Sequence, residues 1–159
     1  MEFNIRIANV SELTGRSYIS RWEMMRGGHD MSVTLFSHFT LEPDEKRIML
    51  DIGAKYMHVR NMMQHVLADY HTGITFDVNP FPVENNSLER SIRINPRLLT
   101  MMYSAGIGAL RGMLAIRLAN TPLKDYPLPL INISSLVSEH LYGSSPAEDI
   151  LPFTDLVYN

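Results

Sequence analysis

The sequence predicts an α+β protein, with a four-stranded antiparallel sheet and a long helix and a shorter C-terminal helix packed on one face. Three observations carry this. Apolar and polar residues alternate in four stretches before Asn79, the pattern of strands buried on one side. One long segment, Asn95 to Asn120, repeats its apolar residues at helical spacing. A proline-rich connection then leads to a second, shorter helical pattern behind Asn132, which is placed to cap it. The chain of 159 residues is most simply one domain. That domain is expected over residues 1–143, with residues 144–159 as a polar C-terminal tail.

Taken in order, Phe3 to Val10 sets Phe3, Ile5 and Ile7 against Asn4, Arg6 and Ala8, a half-buried strand. It can continue past Leu13 to Ile19 with a bulge at Gly15. Ser20 to Asp30 is a turn-rich connection punctuated by Gly27-Gly28, with the sole tryptophan, Trp22, as a packing anchor. Ser32 to Leu41 is the second strand, with Val33, Leu35, Phe39 and Leu41 on one face. Pro43-Asp44 makes a tight turn. Lys46 to Val59 is the third strand, turning Ile48, Leu50, Ile52, Ala54 and Tyr56 inward. Val66 to Val78 is the fourth, turning Val66, Ala68, Tyr70, Ile74, Phe76 and Val78 inward. Strand lengths and short links fit an antiparallel meander with one face under a helix. Asn79 to Asn86 is a loop, and Ser87 to Ile94 fits either a short helix or extended chain.

The long helix is the most informative element. Asn95 suits its cap and Pro96 its first turn. Its large apolar groups cover roughly 200° of the cylinder, where one core-facing stripe needs ~100°. Ala105, Gly108, Gly112, Ala115 and Ala119 form a second stripe of small residues. Gly106, Gly108 and Gly112 each cost about 1 kcal/mol of helix propensity, so something is expected to approach closely. One face then packs on the sheet and the other on a second helix; a helix buried within a monomer is the alternative. Arg97, Thr100, Ser104, Arg111 and Arg117 look built for water. Arg111 and Arg117 interrupt the apolar run, so no stretch reads as a transmembrane span. Thr121 to Ile131 holds three prolines and five large apolar residues, and either covers the core or offers a groove.

Composition narrows the function. A formal net charge of −3 implies no general nucleic-acid affinity. Cysteine is absent, which excludes disulfides and thiol chemistry. The N-terminus does not read as a signal peptide, so a cytoplasmic location is expected. Eleven methionines suit cores, and also surfaces that accept varied partners. No phosphate loop, GxGxxG, GxSxG or HExxH occurs. The six histidines, His29, His38, His58, His65, His71 and His140, show no repeated ligand spacing. Asp51, Asp69 and Asp77 lie on strands as solvated charges or as paired carboxylates. No enzyme activity, metal or cofactor is expected from these residues.

Three stretches carry a resemblance to a known family. MSVTLFSHFTLEPDEKRIMLDIGAKY looks like a long hairpin, VLADYHTGITFDV like a final strand, and PRLLTMMYSAGIGALRGMLAIRLANTPLKDYPLPLINISSLV like a helix, crossover and closing helix. Together they resemble the protein-export chaperone SecB. The resemblance implies a homotetramer, a dimer of dimers with long helices packed between the dimers, where Ala105, Gly108, Gly112, Ala115 and Ala119 would lie. It implies an ATP-independent holdase that takes unfolded or pre-export polypeptides in grooves beside the crossover, with Phe76, Leu123, Tyr126, Leu128 and Leu130 as candidate groove residues. By the same resemblance, Glu12, Leu67 and Asp69 fall where the family docks the motor SecA. Arg16 replaces a carboxylate there, and a divergent relative dedicated to another partner, such as a toxin–antitoxin system, is the alternative.

Overall fold

A computed structural model describes residues 2–18, 31–60, 62–82, 94–142 and 148–152. Trp22, the glycine pair beside it and the undecided stretch from Ser87 to Arg93 lie outside the described residues. The sheet strands are β1 (Asn4–Ser17), β2 (Met31–Glu42), β3 (Arg47–Arg60), β4 (Met63–Asn79) and β5 (Glu148–Pro152). The helices are α1 (Pro96–Arg117) and α2 (Ile133–Tyr142). All neighbouring strands are antiparallel, in the order β1-β4-β3-β2-β5.

The expected four strands and two helices are present, but β1, expected to be half-buried, is exposed along nearly its whole length, and the topology differs from the expectation in two ways. Only β2, β3 and β4 form a simple meander, because β1 lies against β4 instead of β2. Alternation fixes which side of a strand is buried and is blind to which strand it pairs with. In addition, part of the expected tail forms β5 on the outer edge of β2. An edge strand offers a row of unpaired backbone groups, and a short extended segment can satisfy them whatever its polarity.

The core lies between one sheet face and α1. Ile48, Leu50, Ile52, Ala54 and Tyr56 of β3 are fully buried, and Ala68, Tyr70, Ile74, Phe76 and Val78 of β4 join them. From above they meet Leu98, Leu99, Met102, Tyr103, Ile107, Leu110 and Leu114 of α1. The helix begins as its sequence dictates. Asn95 Oδ1 accepts the Arg97 amide at 2.8 Å, and Pro96 opens the first turn. Asn132 does the same for α2, accepting the Ser135 amide at 3.2 Å. The turn after β2 closes with the Lys46 amide on the Pro43 carbonyl at 3.1 Å.

By length and apolar composition α1, with a mean hydropathy of 1.3 over its most apolar window, could cross a membrane. That differs from the sequence expectation, since two arginines do not lower the average enough. Its place on the sheet, with eight residues buried, is that of a core helix.

Candidate functional site

The crossover from Thr121 to Ile131 is firmly held. The Thr121 hydroxyl accepts the Leu123 amide at 3.2 Å and caps a single 3₁₀ turn, Pro122–Asp125. That turn drops Leu123 into the core with no exposed surface. Pro127 and Pro129 have no N–H to offer, so this segment is held through its carbonyls. Arg111 of α1 meets that need, because its guanidinium donates to the Leu128 carbonyl and, at 3.1 Å, to that of Pro129. A planar fork of donors suits two successive acceptors better than the point charge of a lysine. Arg111 was expected to face water. Its long stem lets an apparently solvent-facing position reach the crossover.

Between the crossover and α1 lies a cavity of about 190 Å³ lined by Tyr56, Arg111, Leu114, Leu118, Leu123, Tyr126 and Leu128. Burial pushes the Tyr56 phenol above its ordinary pKa, and the Arg111 charge opposes this only in part. The phenol is therefore neutral at any physiological pH. Small-molecule sites usually enclose roughly 300–1,000 Å³. This cavity is smaller and suits one large apolar side chain.

Three of the five expected groove residues, Leu123, Tyr126 and Leu128, meet at this cavity. Phe76 does not. It sits in register between Ile7 of β1 and Ile48 of β3 and is 1% exposed, sealed under the helix. Leu130 points away from the cavity into solvent, 82% exposed. Tyr56 and Arg111 were not among the expected groove residues. The inward alternation of β3 signalled Tyr56, whereas nothing local signalled Arg111.

The outer face of α1 is a second surface. The three helix glycines split into two kinds. A Cβ on Gly106 would meet Leu50 Cδ2 at 2.6 Å, so here the helix lies close on the sheet. A Cβ on Gly108 or Gly112 would meet nothing within 4 Å. Gly108, Gly112, Ala115 and Ala119 are exposed and Ala105 is half-buried. Met101 and Ile116 on the same helix are also exposed. Among the described residues Gly108, Gly112, Ala115 and Ala119 therefore stay exposed on their own chain, whereas Ala105 packs at the margin of the core.

The sheet face away from α1 carries the polar residues. The His71 ring lies over Gly53, where an added Cβ would come within 2.5 Å of it. His71 Nδ1 is 2.7 Å from Asp51 Oδ1, and Nε2 is 3.2 Å from Asp69 Oδ1. Phe36 leans on the same ring with centroids 5.2 Å apart. Asp77 is held separately by Arg6 and Arg47, and these two guanidinium groups keep its carboxyl below the usual carboxylate range. His58 stands opposite His65 in the β3–β4 ladder, well along the strands from His71. Among the described residues no cluster of three or more His, Cys, Asp or Glu is arranged to hold a metal.

The three residues expected to dock a motor do not share a surface. Glu12 binds Arg117 of α1, which places it on the helix side of the sheet. Asp69 lies with His71 on the opposite face. Leu67, which the resemblance put in the same patch, is fully buried. The ladder shifts register between Tyr56 and Met57, leaving Leu67 as the extra residue between Ala68 and Val66. Such a shift breaks the alternation from which its exposure was read.

No family model matches the chain, and no curated protein matches it. Among solved structures, the fold is similar to that of a SecB-like chaperone from Mycobacterium tuberculosis, solved in complex with a ChAD peptide from the HigA1 antitoxin. The match has a TM-score of 0.51 and 15% identity, and covers 80% of this chain and 91% of the other. Sheet order, long helix, crossover and closing helix together give this chain a SecB-like fold.

Proposed function

We propose that this chain is a cytoplasmic, ATP-independent holdase that binds unfolded polypeptides beside the crossover. The observation that carries the proposal is the apolar crossover, clamped by Arg111 over a cavity sized for one side chain. An unfolded chain offers isolated apolar side chains, and burying one contributes ~1.5–3 kcal/mol before ordering costs. Affinity for a long client then comes from repeating that contact on several subunits.

The exposed stripe of Gly108, Gly112, Ala115 and Ala119 supports a homo-oligomer in which α1 packs on its copy. A tetramer, as a dimer of dimers, would set several crossovers around one assembly. A SecA-type motor is left out of the proposal, since Glu12, Leu67 and Asp69 do not form one patch.

A second reading is an adaptor with the same fold and one dedicated partner. The fold neighbour, solved with a peptide from an antitoxin, favours keeping it. The test is suppression of aggregation for several unrelated proteins during thermal unfolding, without nucleotide. The holdase reading predicts suppression at near-stoichiometric ratio for most of them. Failure with all of them would refute it, and capture of a single prey from lysate would favour the adaptor.

A further inference from the structure

The two edges of the sheet are built differently. β1 is exposed along most of its length and its ladder with β4 shifts register twice, between Ile7 and Asn9 and between Glu12 and Thr14. Bulges of this kind twist an edge away from regular pairing. β2 is the opposite case. It pairs with β3 over twelve consecutive residues, Met31↔His58 to Glu42↔Arg47, with no shift. Its outer edge therefore presents an even row of backbone donors and acceptors.

Among the described residues β5 occupies only part of that row. It pairs from Ser32↔Pro152 to Phe36↔Glu148, and among the described residues no strand pairs with the outer edge of β2 from Ser37 to Glu42. The occupant is five residues long and ends the ladder on a proline, which has no N–H to donate. Backbone pairing makes no demand on sequence beyond an extended conformation, which is what a receptor for varied unfolded chains requires.

We infer that the outer edge of β2 is a docking site for an extended segment of an unfolded polypeptide, and that β5 is an internal occupant which the client displaces. The inference rests on the holdase reading and adds a second contact to the crossover cavity. Side chains would be read at the cavity and backbone at the edge. While β5 is docked only a fraction of molecules is open, and apparent affinity falls by that fraction.

The test uses the full chain carrying Asp149→Pro and Ile150→Pro together. Adjacent strand residues point their N–H groups in opposite directions, so one of the two prolines removes a ladder donor in either phase. The probe is fluorescein-labelled lactalbumin, reduced and carboxymethylated so that it stays unfolded. The variant should bind it at least threefold more tightly than the unaltered chain. Hydrogen exchange over Ser32–Phe36 should speed up in the free variant and slow again when the probe is added. Unchanged or weaker binding, or exchange that the probe does not slow, overturns the inference while leaving the holdase reading in place. If neither protein binds the probe, both fall together.

Discussion

Arg111 shows how one side chain can decide the shape of a surface. Its two hydrogen bonds hold the Leu128 and Pro129 carbonyls, in a segment where Pro127 and Pro129 have no N–H to offer. Each bond from a charged donor contributes about 1.5–3 kcal/mol. Arg111→Met keeps the stem and removes both, so urea unfolding should show a loss of about 3–6 kcal/mol. Arg111→Lys should recover only part, because an ammonium cannot fork across two carbonyls. Asp77 gives a residue-scale prediction in pH. Hydrogen bonds from Arg6 and Arg47 lower its folded pKa below the unfolded value of about 3.9. Its contribution is present in full above that value and fades as pH falls through the folded one. Asp77→Asn should therefore reduce the pH dependence of thermal stability below about pH 4, and leave it unchanged near neutrality.

At the scale of elements, α1 separates two uses of glycine that look identical in sequence. Gly106 gives the close approach to Leu50, whereas Gly108 and Gly112 face open space. Gly108→Ala should raise the stability of an isolated subunit by up to about 1 kcal/mol through helix propensity. Gly106→Ala gains the same amount but drives a methyl group into a packed core. The expected net is a loss of about 1 kcal/mol by denaturant unfolding. These elements also show what the sequence could disclose. The Asn95 and Asn132 caps, the inward faces of β2 and β3, and that of β4 from Ala68 onward were all legible, since each follows from spacing within one segment. Three things were not. The placement of β1 beside β4 depends on long-range pairing. The burial of Leu67 depends on a one-residue bulge. The pairing of β5 depends on an edge whose existence follows from the order of the other strands. Within the crossover, apolar content marked Leu123, Tyr126 and Leu128, but not the clamp from a helix residue that reads as polar surface.

For the whole molecule, the proposed assembly rests on a helix face that is exposed among the described residues. Light scattering should report a mass near four chains. Gly112→Leu should shift it toward smaller species without unfolding the subunit, because a Cβ at this exposed position meets no atom of its own chain within 4 Å, whereas the added bulk would collide with a packed copy. A monomer that binds clients would retire the assembly and keep the cavity. The direct test of the cavity is photocrosslinking from a benzophenone amino acid placed at position 126, with position 97 on the polar side of α1 as control. Unfolded, carboxymethylated lactalbumin should be captured from position 126 without nucleotide, and its native form should not. Equal capture from both positions, or none from position 126 while aggregation is still suppressed, would contradict a client surface at the crossover.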